Sequence, residues 1–452
     1  MPPKKRLSRR SSSKAPREAK TARRLIRASG WGVLDQTLLS AVNFLTLVLL
    51  ARHVSSGSFG AFTLVYGVML MANHAQFAFV TQPHNVIGAS LTDFEYRAYT
   101  RSLLVVQLFF SAGLAAAAGV VAVGAYQLEF ETALILAAMA ALPLWQLQEF
   151  IRRVLYTEGR QAAAFANDLL SYGGQATAVA GLTFAGALTA PSALFALALT
   201  AAGASVFGLG QIRASLRGAH FSRLAVSESL AFGKWLAASI ASHWTSTQAY
   251  LYIAAAVLGV AVTGALKALQ IVLSPLHVLM FSLSTMLPIR LSRTLMHEAP
   301  DRREQAFRRD ARFALRITFP FVAAYCGSVA LFSDQILSFL YGSTYEAYGR
   351  VLVIFAAYYV LLYLAQFAGA LLTARRQTDR LFLANAAAAI VAMVAAWPLM
   401  HAFGAEGAAV LLLVSAGVLS VALWWPSWAK GGQTPDESRR ASAIFSARER
   451  DR

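Results

Sequence analysis

VLVIFAAYYVLLYLAQFAGALL, residues 351–372, is a run of 22 residues without a single charged side chain. The hydrocarbon core of a bilayer is about 30 Å thick, and a helix needs about 20 apolar residues to cross it. Inside that core every backbone polar group must be bonded within the segment, which a helix achieves. The stretch therefore predicts a transmembrane helix, and the rest of the chain can be searched for similar runs.

The overall composition agrees with a membrane protein. Of 452 residues, 57% are hydrophobic and 14% charged, whereas a soluble chain carries about 25% charged residues. The net charge of +18 is of the kind that nucleic-acid-binding proteins show. Its Lys and Arg residues, however, lie in a tail and in short segments between apolar runs, as orientation signals do. We therefore expect no nucleic-acid partner.

Similar apolar runs on both sides of this stretch bring the number of candidate spans to twelve. They cover residues 30–51, 60–80, 102–123, 132–149, 161–184, 191–209, 235–255, 264–287, 313–332, 351–372, 381–400 and 404–424. The segments between them are too short for an enzymatic domain. We predict an all-α integral membrane protein with a basic tail (1–29), a six-helix bundle (30–210), a cytoplasmic linker (211–234), a second six-helix bundle (235–425) and a polar tail (426–452).

The distribution of basic residues predicts the orientation. Cytoplasmic segments retain Lys and Arg, and an inside N-terminus puts nearly all of the 40 basic residues in the two tails and the even-numbered loops. Only Arg52 and Arg350 then lie outside, while Lys267 and Arg316 lie within spans. We expect both termini on the cytoplasmic side of a bacterial-type inner membrane.

The two predicted bundles share a sequence repeat. An offset of 204 residues places Trp31 on Trp235, Ala51 on Ala255 and Gly60 on Gly264. A second match pairs Thr157, Arg160, Gln161, Ala166 and Asn167 with Thr373, Arg376, Gln377, Ala384 and Asn385, after a two-residue insertion. Because each half has six spans, both halves have the same orientation. This predicts a pseudo-twofold axis along the membrane normal, with the substrate path between the bundles.

The eighth span carries a polar stripe, which is a candidate substrate site. Its members follow helical intervals and share one face: Lys267, Gln270, Ser274, His277 and Ser284. A polar stripe facing lipid is unfavourable, so it predicts either a cavity wall or a helix-packing seam. Lys267 is expected either to hold a phosphate group as a point charge or to extend its ammonium to the outer interface.

Other spans carry weaker polar faces that predict further cavity-lining residues. They are Gln36 and Asn43 in the first span, Asn73 and Gln76 in the second, and His243 and Ser246 in the seventh. Asp35 and Asp168 are candidates for a coupling proton or Na⁺, because carboxylates within spans are unfavourable without a role. The alternatives for Asp35 are a hydrated carboxylate at the interface and an ion pair with a nearby Arg.

The sequence lacks two sets of motifs that would point elsewhere. No Gly-x-x-x-x-Gly-Lys-Ser/Thr phosphate loop occurs, so we do not expect direct coupling to ATP. The histidines of the spans and the lone Cys326 have no metal-ligand spacing, and we predict neither a metal nor a cofactor.

Three stretches resemble a known family, the oligosaccharide flippases of the multidrug, oligosaccharidyl-lipid and polysaccharide exporter superfamily. They are Leu50-Ala51-Arg52-His53-Val54 with Ser58-Phe59-Gly60-Ala61-Phe62, then the segment from Arg152 to Arg160, and finally Ser274-Pro275-Leu276 with Leu287-Pro288-Ile289-Arg290. The resemblance implies a V-shaped pair of six-helix bundles, alternating access and a lipid-linked sugar as cargo, as in O-antigen flippases.

The sequence therefore favours a flippase for a polyprenyl-diphosphate-linked oligosaccharide in surface polysaccharide biosynthesis. Its expected partners are that lipid-linked oligosaccharide, membrane lipids, H⁺ or Na⁺, and glycan polymerase or assembly proteins. The alternative from the same superfamily is a cation-coupled exporter of drugs or other small molecules. A membrane glycosyltransferase is disfavoured, because its catalytic carboxylates would need a larger external loop than this sequence contains.

Overall fold

The computed structural model describes residues 15–127, 132–218, 220–375 and 377–429, and these residues are all helical apart from short turns. The helices are α1 (Ala15–His53), α2 (Ser56–Gln76), α3 (Gln82–Val86), α4 (Asp93–Gln127), α5 (Thr132–Thr157), α6 (Gln161–Asp168), α7 (Gly174–Phe184), α8 (Ala190–Gln211), α9 (Arg213–Leu216), α10 (Arg223–Leu258), α11 (Val260–Leu273), α12 (Pro275–His297), α13 (Pro300–Leu331), α14 (Ser333–Tyr341), α15 (Gly349–Ala374) and α16 (Thr378–Ala429).

Local sequence signals explain where several helices begin. The side chain of Ser55 accepts a hydrogen bond from the backbone N–H of Ser58 and caps α2. Thr189 and Ser192 form a reciprocal capping box at the start of α8. Pro275 and Pro300 occupy the first helical positions of α12 and α13, where the missing N–H has no intrahelical partner to lose.

The predicted spans all fall in helical segments of the described chain, but not all as separate helices. By length and composition, eight described helices can span a membrane, or nine if one bent pair is counted as a single span. The predicted fifth span is divided by the π-helix Leu169–Gly173. The last two spans join in α16, which breaks only at Gly404, where φ is 57° and ψ is −132°. The seventh lies in α10, where Thr247–Leu258 forms a shorter apolar helix.

The eighth span is bent, where the sequence predicted one straight helix. α11 and α12 meet at an angle of 64° around Ser274. Pro275 explains the break, because proline lacks the N–H that would continue the hydrogen-bond ladder of the preceding turn. The predicted polar stripe is therefore divided, with Lys267 and Gln270 on α11 and His277 and Ser284 on α12.

Contacts between helices divide the described chain into two compact units. The first extends to Gln248 and includes Val260–Ala268; the second comprises Ala249–Gly259 and the chain from Leu269 onward. In the first unit, Phe150, Ile151 and Val154 of α5 belong to a buried apolar cluster. In the second, a cluster of Ala365, Ala368, Leu372, Ala384 and Leu423 packs α15 against α16.

Candidate functional site

Charged side chains from three helices meet in the interior of the first unit. Arg152 of α5 places Nη2 2.7 Å from Oδ2 of Asp35 in α1, and Nε 2.7 Å from Oδ2 of Asp168 in α6. Its Nη1 lies 3.0 Å from Glu149, one turn earlier in α5. Both aspartates are fully buried. We call Asp35, Glu149, Arg152 and Asp168 the ionic cluster.

The local geometry of three helices forms this cluster. Glu149 and Arg152 are three residues apart in α5, so they lie on one face. Asp168 ends α6, immediately before the π-helix Leu169–Gly173; such π segments are often found at functional sites. The rings of Trp31 and Phe165, 5.3 Å apart, pack α1 against α6 near the cluster.

Two neutral side chains donate further hydrogen bonds to the buried aspartates. Tyr156 donates its hydroxyl hydrogen to Oδ2 of Asp35 at 2.6 Å, and Gln148 donates from Nε2 to Oδ1 of Asp168 at 2.6 Å. Oδ1 of Asp35 accepts no hydrogen bond from the described residues. This oxygen carries part of the negative charge of a buried carboxylate, so binding a proton or a small cation there would offset the unfavourable free energy of its burial.

The charges of the cluster do not balance. Three carboxylates face the guanidinium of Arg152 and that of Arg153, which lies 2.7 Å from Glu149. With every group ionised, this leaves one net negative charge inside the first unit. Binding one monovalent cation would neutralise the site, and burial makes such neutralisation favourable.

The first unit also contains a network of neutral polar side chains. Gln76 donates from Nε2 to the carbonyl of Gln146 at 2.6 Å, and Ser111 donates to Oε1 of Gln146 at 2.7 Å. Asn43 lines a small cavity together with Thr46, Tyr66 and Gln175. Of the predicted cavity residues, Asn43 and Asn73 are half-buried, Gln76 is buried and Gln36 is exposed.

The predicted stripe of the eighth span contains one basic side chain without an ion pair. Lys267 is half-buried on α11 and makes no ion pair with a carboxylate of the described residues. Beyond the bend, His277 is exposed and its Nε2 lies 3.1 Å from the hydroxyl of Tyr359. Ser274, at the bend, donates to the carbonyl of Ile271. The side chains of His243 and Ser246 lie outside what the structure describes.

The sequence predicts Asp35 and Asp168 as site residues but not Arg152, which joins them. The predicted fourth span ends at Glu149 and leaves Arg152 in a cytoplasmic loop, whereas α5 continues to Thr157 and Arg152 is 7% exposed. Of the alternatives for Asp35, the ion pair with an arginine is the one found. The missed signal was the i, i+3 spacing of Glu149 and Arg152 with the apolar Phe150 and Ile151 between them.

Comparison with solved structures identifies proteins that share this fold. No protein-family model and no curated relative matches the sequence. The fold, however, matches an inward-facing multidrug resistance MATE family transporter of the MOP superfamily, with a TM-score of 0.69 and 15% identity over 87% of this chain and 95% of that one. The chain therefore shares the fold of that transporter, and eight of its described helices are long and apolar enough to span a membrane.

Two further structures extend the comparison within that superfamily. An outward-facing MATE family transporter matches with a TM-score of 0.61 and 13% identity over 94% of this chain and 96% of that one. A MOP superfamily transporter from Pyrococcus furiosus, described as having reversed polarity of its binding pocket, matches with a TM-score of 0.61 and 13% identity over 89% and 94%. The shared property is the MOP superfamily fold.

Proposed function

We propose that this chain is a flippase that moves a polyprenyl-diphosphate-linked oligosaccharide from the cytoplasmic to the outer leaflet during surface polysaccharide biosynthesis. The observation that carries the proposal is the charge of the candidate sites. Lys267 lies in a transmembrane helix without a described carboxylate partner, whereas each of the acids Asp35, Glu149 and Asp168 in the first unit already contacts an arginine.

An anionic cargo fits this charge pattern better than a cationic one. A diphosphate is recognised by ammonium and guanidinium groups, and Lys267 is available for such a contact. A cationic drug needs a carboxylate that is free to pair with it. In the ionic cluster, Arg152 already occupies that place against both aspartates, at 2.7 Å from each.

We further propose that Asp35 and Asp168 couple transport to a cation, H⁺ or Na⁺. The proposal rests on the net negative charge of the ionic cluster and on Oδ1 of Asp35, which accepts no hydrogen bond from the described residues. Neutralisation by one cation weakens the hold of the aspartates on Arg152. α1, α5 and α6 would then be free to change their packing, which is the kind of change that alternating access needs.

The second candidate is a cation-coupled exporter of small molecules, and two observations favour it. The solved structure with the higher TM-score among those described above is a multidrug resistance transporter. The carboxylates of Asp35, Glu149 and Asp168 are also the groups that an exporter of cations would use, once Arg152 is displaced. The two candidates predict opposite charges on the cargo.

The test is mass spectrometry of polyprenyl-diphosphate-linked glycans in cells with and without the gene. A flippase predicts that one lipid-linked oligosaccharide accumulates on deletion and disappears on complementation. Lys267→Gln should complement at least about tenfold less well, because a charge-assisted contact to phosphate is lost. Lys267→Arg is the matched control that keeps the charge, and membrane abundance is measured for both variants.

The alternative outcome is equally specific. If lipid-linked glycans and surface polysaccharide are unchanged in cells from which redundant flippases have been removed, the flippase proposal is wrong. Increased sensitivity of those cells to cationic drugs would then establish the small-molecule exporter. If Lys267→Gln complements as well as the parent chain, the diphosphate is bound elsewhere.

A further inference from the structure

Three arginines form an exposed basic face at the start of α13. Arg309, Arg312 and Arg316 follow intervals of three and four residues, which place them on one side of the helix. All three are exposed, and the side chain of Arg309 retains 72% of its accessible surface. We call these three residues the arginine face. They span two turns, about 10 Å along the axis.

The nearby acidic groups neutralise this face only in part. Nε of Arg309 lies 3.3 Å from Oδ1 of Asp310, and the other oxygen of Asp310 accepts from Thr294 at 3.0 Å. Nε of Arg312 donates to the carbonyl of Arg308. Glu304 is occupied elsewhere, since it pairs with Arg308 and Arg375 at 2.7 Å each. The arginine face therefore keeps a net positive charge.

Exposed apolar side chains continue along α13 from the same turns. Phe313, Ile317 and Phe321 are 54%, 58% and 59% exposed, although they belong to a helix long and apolar enough to span a membrane. Such side chains lie in contact with the acyl chains of lipids. The arginine face thus extends from the aqueous side to the depth of the lipid phosphates. At that depth the apolar stem of an arginine can lie along apolar surface while its guanidinium reaches the polar region.

This arrangement is specific to the second half of the chain. α4 is the third long helix of the first half, as α13 is of the second. α4 begins with two acids, Asp93 and Glu95, and then carries Arg97 and Arg101. Its basic and acidic residues balance in number. A basic face is therefore not a general requirement of the third helix in this fold.

We propose that the arginine face binds the phosphate groups of an anionic phospholipid, in the cytoplasmic leaflet under the predicted orientation. Guanidinium groups bind phosphate oxygens with two parallel hydrogen bonds. Basic residues at the membrane surface attract anionic lipid, and their contributions accumulate along a face. The apolar side chains beside the face supply the contact with the lipid tails. This binding does not depend on the cargo of the transporter.

The experiment is native mass spectrometry of the purified full chain in detergent, with phosphatidylglycerol or phosphatidylcholine added. The parent chain should retain phosphatidylglycerol in preference to phosphatidylcholine. The triple variant Arg309→Gln, Arg312→Gln, Arg316→Gln should retain about tenfold less phosphatidylglycerol. Because all three positions are exposed, the variant should keep the melting temperature and the monodisperse elution of the parent.

A charge-matched control separates a site from general electrostatics. Arg213, Arg217 and Arg223 are also exposed, but Arg213 begins α9, Arg217 lies in the turn after it and Arg223 begins α10, so they do not share one helix face. Their triple replacement by Gln should leave phosphatidylglycerol retention unchanged. An equal loss in the control, or full retention in the first variant, would overturn the proposal.

A third lipid in the same experiment separates the sources of phosphate. If the arginine face retains polyprenyl diphosphate and not phosphatidylglycerol, the phospholipid proposal is wrong and the face is a docking place for the cargo. Lys267→Gln should lower glycan export and leave phosphatidylglycerol retention normal. The triple arginine variant should lower phosphatidylglycerol retention and leave export normal. Each proposal can therefore fail without the other.

Discussion

The fourth long helix of each half, α5 in the first and α15 in the second, buries opposite kinds of side chain at equivalent places. The repeat that pairs Thr157 with Thr373 also pairs Glu149 with Ala365 and Arg152 with Ala368. The other members of the ionic cluster have no charged counterpart either, since Asp168 corresponds to the half-buried Ala386 and Asp35 to the exposed Ser239. In the second unit Ala365 and Ala368 belong to the buried apolar cluster.

The difference shows that the fold does not need these charges. α15 packs tightly against α16 with small apolar side chains, and that is the more favourable way to fill such a position. Buried charges that a scaffold can do without, and that cost free energy to bury, are expected where function requires them. The comparison therefore locates these buried charges, and the coupling to a cation that we propose for them, in the first half.

The largest effect is expected from replacing Arg152, the basic residue of the ionic cluster. Arg152→Ala leaves Asp35 and Asp168 without a cationic partner in the interior, which should lower the free energy of unfolding by about 3–5 kcal/mol. The measurement is the melting temperature of the detergent-solubilised chain. Arg153→Ala is the control, because its side chain is 30% exposed and pairs only with Glu149; it should cost less than about 1 kcal/mol. If both variants lower the melting temperature equally, the buried position of Arg152 adds nothing to the stability of the chain.

Replacing the whole cluster by its equivalents from the second half should reverse much of that loss. The variant Asp35→Ser, Glu149→Ala, Arg152→Ala, Asp168→Ala contains none of the buried charges. It should be more stable than Arg152→Ala by about 1–3 kcal/mol, despite the volume removed. Transport should be absent if the cluster couples it. A quadruple variant as unstable as the single one would mean that side-chain volume, not charge, determines the stability of α5.

The comparison also explains which parts of the structure the sequence could predict. Uncharged runs such as residues 351–372 predict helices directly, since their length is set by the bilayer. Asp35 and Asp168 were found because charges inside spans are rare. Arg152 is not predicted because basic residues near span ends are normally cytoplasmic. Nothing in the sequence shows that Asp168, on the next helix, and Asp35, 117 positions away, will both surround it.

The bend in the eighth span was missed for a different reason. Ser274-Pro275 was visible in the sequence, but a proline in a transmembrane helix can be accommodated without a break when neighbouring groups satisfy the freed carbonyl. Whether a helix bends therefore depends on what surrounds the proline. The even spacing of Lys267, Gln270 and His277 suggested one continuous face, and periodicity alone does not report a bend.

A smaller effect is expected where two repeat-related glycines meet. Gly60 of α2 and Gly264 of α11 lie so close that a Cβ on Gly60 would overlap the carbonyl of Val260, and one on Gly264 would lie 2.8 Å from the backbone nitrogen of Gly60. Because the obstructing atoms are backbone, Gly60→Ala should destabilise the chain by about 1–3 kcal/mol. Gly57→Ala, in the same helix turn with open space around it, should be neutral or slightly stabilising.

The melting temperatures of Gly60→Ala and Gly57→Ala show whether the close approach of α2 and α11 stabilises the chain. If Gly60→Ala is tolerated as well as Gly57→Ala, α2 and α11 can separate at little cost, and the contact contributes nothing to the fold. If Gly60→Ala is destabilising and Gly264→Ala equally so, both copies of the repeat depend on the same close approach. The second outcome would show that the two halves are alike at this contact, in contrast to the ionic cluster, where they differ.

The smallest effect is expected at the turns before the sixth helix of each half, where Gly186 corresponds to Gly404 in the repeat. Both have positive φ, 64° and 57°, so alanine should cost about 1–2 kcal/mol at either position. Replacement by asparagine should distinguish the two positions. Gly186 ends α7 in a Schellman motif, with Ala187 bonded to Leu182 and Gly186 to Thr183, and asparagine adopts that left-handed conformation readily.

Gly404 has ψ of −132°, a backbone conformation that is essentially restricted to glycine. Gly186→Asn should therefore recover most of the melting temperature that Gly186→Ala loses, whereas Gly404→Asn should recover none of the loss of Gly404→Ala. Recovery at both positions would mean that the break in α16 relaxes to the same turn as in the first half. The two halves would then share this turn in conformation as well as in sequence, and their divergence would lie in the side chains that each one buries.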